Sequence, residues 1–250
     1  MKKRHFDVET DGFYGAYWKC KTDSDCAMIA MIGDDSEDYL ARTSVKWLHK
    51  LGVNVMTMSP AKKDYGHHNY PLERIEKAIS WLKTHGNRKI GIVGASTTGT
   101  LALTAASYFE DLTLTIGLTP SDFIWQGFMQ GKKDGCKEWP IERESLFSYK
   151  GEPLPYMPFC YKHPDYWHVI EKETKRTGDM INSRKLFDDS ETAHPITEEE
   201  MIKIEKIHGT LLLIGAEDDV LWDTAKYIRR MELRMKERPH TCRLESVIYE

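Results

Sequence analysis

Short, nearly continuous apolar runs alternate with amphipathic stretches along this chain. The runs at 13–18, 26–32, 53–57, 90–93, 112–118, 210–214 and 243–248 have the length of strands, and their lack of a polar face predicts strands covered on both sides. Between them, 37–50, 72–85, 98–108 and 222–237 carry apolar positions at helical spacing. Strands alternating with helices predict an α/β fold, a mostly parallel sheet with helices on both faces. The helix at 98–108 runs straight into the strand at 112–118, as a right-handed crossover requires.

The rhythm breaks at 120–195. This stretch holds Pro140, Pro153, Pro155, Pro158 and Pro164 and is dense in aromatic residues, among them Trp125, Phe128, Phe159, Tyr166 and Trp167. Disordered segments are poor in aromatics, and a loop of this length without a role is uncommon. A cap inserted over the carboxyl edge of the sheet is expected, within a single domain over 1–250. A helix resumes at 197–207, with Thr197 as its cap and Glu198, Glu199 and Glu200 at the positive end of its dipole.

The chemistry concentrates where the run at 90–93 meets a small-residue turn, Gly94-Ala95-Ser96-Thr97-Thr98-Gly99, and a helix follows. A serine on such a corner is the nucleophile elbow of the α/β-hydrolase fold. The turn lifts the Oγ above the sheet and leaves the backbone N–H of Thr97 to hold an oxyanion. An ordinary strand-to-helix turn is the competing reading, because Thr98 stands where G-x-S-x-G has its closing glycine and Gly99 follows one place later. The second oxyanion donor is expected in the loop after 26–32, at the N–H of Asp34, with Asp35 and Ser36 capping the next helix. The acid is expected after the strand at 210–214, in Glu217-Asp218-Asp219. Asp219 is preferred to Asp218, and either could instead cap the helix that follows.

The order serine, acid, histidine places the imidazole after the last strand. No histidine follows His240, so a truncated chain, with its base beyond Glu250, is expected. His67 and His68, in the loop after the third run, are the substitutes within the chain. His163, His168 and His194 read as surface or substrate-facing residues.

Composition narrows the class. A formal charge of −4, with both signs mixed along the chain, gives no basic patch for nucleic acid. No run approaches the roughly 18 apolar residues of a membrane span. The basic start lacks the apolar segment of a secretory signal. Five scattered cysteines without a C-x-x-C pair predict free thiols and a cytoplasmic protein, with no zinc site.

Three segments resemble one family: the Gly94 to Gly99 turn, Thr119-Pro120-Ser121-Asp122-Phe123-Ile124-Trp125-Gln126-Gly127, and Ile207-His208-Gly209 through Glu217-Asp218-Asp219-Val220-Leu221-Trp222. Together they resemble the acyl-CoA thioester hydrolase / bile acid-CoA:amino acid N-acyltransferase C-terminal domain, in a stand-alone bacterial-type form. The resemblance implies an α/β-hydrolase acting on a small-molecule acyl thioester or ester, with no metal or organic cofactor. The family's acyltransferases use cysteine, so Ser96 implies hydrolysis, and the family's histidine would follow Tyr249-Glu250. A general carboxylesterase or peptidase, and a non-catalytic binding protein of the same fold, remain the alternatives.

Overall fold

The computed structural model describes residues 3–60, 67–129 and 139–250. Its frame is an eight-stranded sheet of β1 (Lys3–Phe6), β2 (Gly15–Trp18), β3 (Cys26–Met31), β4 (Asn54–Met58), β6 (Lys89–Ala95), β7 (Leu112–Leu118), β12 (Thr210–Ala216) and β13 (Arg243–Tyr249). The spatial order is β1-β2-β4-β3-β6-β7-β12-β13. Only β1 and β2 run antiparallel to their neighbours; from β4 onward every pairing is parallel. This is the α/β-hydrolase fold. The seven strands predicted are present within a few residues of their expected ends. β1 carries no apolar run, because it is a polar edge strand with only Phe6 buried.

Alternate residues of the central strands feed two cores, as the two-residue period of a strand demands. Ile29, Met31, Met56, Ile90 and Ile92 point to the larger core. There α3 (Glu73–Thr84), α4 (Thr97–Tyr108) and α7 (Thr224–Glu237) pack, while the four-residue α1 (Val8–Asp11) buries nothing. Met28, Ala30, Val55 and Val93 point the other way, against Val45 and Leu48 of α2 (Tyr39–Lys50). One expected helix has a different character. Residues 99–106 of α4 are all buried, so the helix is enclosed rather than amphipathic. Thr100 and Thr104 tolerate this because their hydroxyls bond within the fold, Thr104 Oγ1 to the Thr100 carbonyl at 2.8 Å and Thr100 Oγ1 to Ser121 Oγ at 2.9 Å.

Between β7 and β12 the chain leaves the sheet. It forms a hairpin of β8 (Gln126–Met129) and β9 (Trp139–Ser145), then β10 (Phe147–Tyr149) and β11 (Glu152–Pro153), then α5 (Asp165–Thr177) and α6 (Arg184–Ala193). β10 also pairs with β5 (Tyr70–Pro71), which fastens the insert to the main body. The helix expected at 197–207 is absent; a turn and the short 3₁₀ segment Ile204–Lys206 take its place. Tertiary pairing overrides the local pattern. Ile124 N–H donates to the Glu200 carbonyl and Ile202 N–H to that of Asp122, a strand-like exchange that a helix could not supply.

One cluster with no signature in the sequence locks the insert down. Arg230 of α7 forks onto both oxygens of Asp122, at 2.8 and 2.6 Å, and reaches Glu191 of α6 at 2.7 Å. Burial pushes the Asp122 carboxyl up to about 6, against the pull of Arg230. The neutral form of Asp122 therefore favours folding. Its contribution is full below about pH 4, near the unfolded value, and is lost as pH rises through about 6. We expect the unfolding free energy of the wild type, relative to Asp122→Asn, to fall as pH rises from about 4 to 8. Urea titrations of both proteins across that range measure it. A difference that stays flat would mean the pair is ionised throughout.

Candidate active site

The parallel strands deliver three loops to one edge of the sheet. The register pairs Ala95 with Leu118, Leu118 with Ile214 and Ala216 with Tyr249, so the turns after β6, β7 and β12 emerge side by side.

Ser96 sits between β6 and α4 with φ 55° and ψ −124°. Non-glycine residues rarely adopt this conformation, which stores about 1–3 kcal/mol. Contacts on both sides hold it there. Ser96 N–H donates to the Leu118 carbonyl at 2.8 Å, and its own carbonyl accepts from Thr100 N–H at 3.0 Å. The approach of helix to strand needs two glycines. A Cβ on Gly94 would lie 2.0 Å from the Thr98 carbonyl oxygen, and one on Gly99 would lie 2.9 Å from that of Leu118. Gly99 thus supplies the close approach to β7. Thr98 ties the end of β3 to the corner, because its Oγ1 lies 2.5 Å from the Met31 carbonyl and accepts from Ala95 N–H at 3.0 Å. Thr97 opens α4, so its N–H belongs to the first turn, which has no intrahelical acceptor.

Ser96, Thr97 and Asp34 line one cavity of about 380 Å³. Its remaining walls are mostly apolar and come largely from the insert, including Trp125, Phe128, Phe159, Trp167 and Phe187. Asp34 carries a qualification. Its N–H donates to Asp38 Oδ2 at 2.7 Å, and its carbonyl accepts from Ser59 Oγ at 2.7 Å. The N–H expected at the oxyanion is thus engaged by a carboxylate. The same Asp38, rather than Asp35 or Ser36, caps α2 by accepting from Ala41 N–H at 2.8 Å. Gly33, with φ 109°, is what allows this: a Cβ there would lie 2.4 Å from the Asp38 carboxylate.

Asp219 follows β12 as expected but does not line the Ser96 cavity. It borders a neighbouring surface depression with Asp218, Arg184 and Asp188. Asp219 Oδ1 accepts from Leu221 N–H at 3.0 Å and Oδ2 from Thr224 Oγ1 at 3.1 Å, so its carboxylate is oriented; Asp218 is exposed. The loop itself reaches the cavity through Leu221 and Trp222. Trp222 Nε1 donates to the Thr119 carbonyl at 3.0 Å, which ties the loop after β12 to the end of β7. Neither Asp218 nor Asp219 caps α7; Asp223 does, accepting from Lys226 N–H at 2.9 Å.

Among the described residues, the histidine that lines the Ser96 cavity is His67. Its ring stacks on Phe128, with centroids 4.9 Å apart and planes 15° from parallel. His68 pairs instead with Glu144 at 2.5 Å, and His194 with Glu200 at 2.7 Å. His168 lies 3.8 Å from Asp165, and His163 lies beside Trp139. Cys20, Cys26, Cys160 and Cys242 are free thiols; Cys136 lies outside the described residues. No group of three or more His, Cys, Asp or Glu side chains among the described residues is arranged to hold a metal ion. No helix among them is long and apolar enough to cross a membrane.

Residues 70–250 match the family described as BAAT / Acyl-CoA thioester hydrolase C terminal. The chain belongs to this family. The match includes the Ser96 corner, the insert and the loop after β12 of this BAAT / acyl-CoA thioester hydrolase domain. No protein of curated function matches in sequence. Among solved structures, the esterase Pf2001 of Pyrococcus furiosus superposes with a TM-score of 0.53 at 12% identity, over 98% of this chain and 88% of its own. MGS-M1, an α/β-hydrolase enzyme from a Medee basin deep-sea metagenome library, gives 0.52 at 12% identity, over 100% of this chain and 84% of its own. An acylaminoacyl peptidase of Pyrococcus horikoshii gives 0.52 at 12% identity, over 100% of this chain and 37% of its own. At such identities the likeness establishes the fold.

Proposed function

We propose that this BAAT-family domain hydrolyses acyl thioesters or esters of small molecules through an acyl-enzyme on Ser96, with the insert acting as a cap over the bound acyl group. The observation that carries the reading is the strained backbone of Ser96 at the mouth of α4, facing a largely apolar cavity. Ser96 Oγ attacks the acyl carbonyl, and the thiol or alcohol leaves. Water then releases the acid. Thr97 N–H holds the oxyanion; Asp34 N–H joins it when the developing charge draws it from Asp38. Each such donor lowers the barrier by roughly 3–4 kcal/mol.

Asp219 is the acid that orients the imidazole and stabilises its charged form. The chain order of this fold favours an imidazole that comes after the last strand, and Glu217 N–H of the loop that holds Asp219 meets the Tyr249 carbonyl of β13 at 2.9 Å. His67 is the second reading, favoured by its place in the Ser96 cavity. Where a histidine follows β13 in the full protein, we expect His67→Gln to lower kcat by less than about 10-fold; where His67 is the base, we expect a loss of roughly 10⁴-fold or more. Steady-state assays with a short thioester decide between them. Labelling by a fluorophosphonate tests the hydrolase reading itself. A chain that neither labels at Ser96 nor turns over any ester would be a binding protein on a hydrolase frame.

A further inference from the structure

We propose that the cavity beside Ser96 selects substrates carrying a flat aromatic group within a few bonds of the scissile carbonyl. The inference rests on the reading of Ser96 as the nucleophile. It stands on the geometry of the cavity wall. Trp125 lies parallel to Phe159, with centroids 5.2 Å apart and planes 6° from parallel. Phe187 meets both rings edge-on, Trp125 at 4.6 Å and 67° and Phe159 at 5.7 Å and 64°. Trp222 closes on Phe187 at 5.2 Å and 69°, and Tyr166 on Phe159 at 5.0 Å and 77°. All five rings line the cavity.

The rings come from separate places in the fold: Trp125 from the start of the insert, Phe159 from the loop before α5, Tyr166 from α5, Phe187 from α6 and Trp222 from the loop after β12. They brace one another, so the wall keeps a defined set of faces and edges. An alkyl guest gains only burial from such a wall. A ring guest of the same size also gains edge-to-face or offset contacts, because the ring quadrupole has a negative face and a positive edge. Size supports the choice. About 380 Å³ stands near the small end of ligand cavities, roughly 300–1,000 Å³, and suits one ring with a short tether better than a long acyl chain.

The experiment compares matched pairs in turnover and in binding. S-ethyl thioesters of 3-phenylpropanoate, 3-cyclohexylpropanoate and hexadecanoate are assayed by thiol release. Ethyl 3-phenylpropanoate and 3-phenylpropyl acetate, each beside its cyclohexyl counterpart, tell whether the ring enters on the acyl or the alcohol side. Binding of 3-phenylpropanol and 3-cyclohexylpropanol, neither of which reacts, is followed by quenching of tryptophan fluorescence.

We expect phenyl compounds to exceed cyclohexyl ones by about 5- to 10-fold in kcat/KM and in affinity, and to exceed the hexadecanoyl thioester in kcat/KM. Phe187→Leu, which keeps an apolar side chain at the hub of the wall, should bring the ratio close to one. Phe159→Leu, which removes the ring stacked on Trp125, is the second variant, for use if the first does not fold. Equal or reversed phenyl and cyclohexyl affinities in the wild type would overturn the proposal. Preferential binding of the phenyl alcohol without turnover of any ester would uphold this inference and overturn the hydrolase reading.

Discussion

Ser96→Gly is expected to abolish hydrolysis and at the same time to make the protein more stable. The two effects share one cause. Ser96 is held at φ 55° and ψ −124° by the bonds to Leu118 and Thr100. Glycine adopts this conformation without steric penalty. The strain released, about 1–3 kcal/mol, outweighs the roughly 0.4–1 kcal/mol that a glycine adds to the freedom of the unfolded chain. The net is about 1 kcal/mol, or a Tm higher by about 2–4 °C in a chain of this size. Catalysis falls by about 10⁶-fold, because no other group takes the nucleophile's place. Ser96→Ala is the control: it loses the same activity with no gain in Tm, since alanine carries the same Cβ. Calorimetry and a thioester assay on the three proteins check both halves. A Ser96→Gly variant that keeps more than about 1% of the activity would remove Ser96 from the mechanism, and a lower Tm would refute the strain argument.

Asp219→Asn is expected to lower kcat by about 10⁴-fold while leaving KM within a few-fold. The amide preserves the shape of the side chain but cannot stabilise an imidazolium, and it admits the wrong tautomer. Asp218→Asn should stay within about 3-fold of wild type, because an exposed carboxylate that orients no imidazole contributes little to the barrier. The pair of variants separates two neighbours that the sequence alone ranks only weakly. Equal losses in both, or a loss confined to Asp218→Asn, would move the acid. Asp219→Asn also keeps an oxygen to accept from Leu221 N–H, so its Tm should change little. A large drop in Tm would mark Asp219 as a structural residue of the loop.

Local pattern was sufficient for the frame. The β-strands at 90–93 and 112–118 were legible because buried parallel strands are apolar on both faces, and α2, α3 and α7 because helices at a sheet surface show one apolar stripe. The corner at Ser96 was legible for a similar reason. The steric demands of a helix touching a strand leave a mark in small residues, and Gly94 and Gly99 carry it. Position along the chain alone put Ser96 and Asp219 at one edge of the sheet, since loops after parallel strands emerge together.

Side-chain competition for backbone groups left no such mark. Asp34, Asp35, Ser36 and Asp38 are all plausible caps in sequence. Only the fold decides that Asp38 caps α2 and also engages Asp34 N–H, because Gly33 turns the chain back toward it. The stretch at 197–207 reads as a helix until residues 122–124 lie alongside and draw its backbone into strand-like bonds. Sequence marked the insert as aromatic. It could not show that Trp125, Phe159, Phe187 and Trp222, spread across the insert and the acid loop, form one wall, nor that His67 joins Ser96 at the cavity while Asp219 stands in the next depression. The sequence alone determined the seven strands it predicts, the helices α2, α3 and α7 and the corner that strains Ser96, because each depends on neighbours a few residues away. The tertiary structure decided what the cavity is made of and which donors it leaves open, because those depend on contacts between elements whose spacing no local pattern encodes.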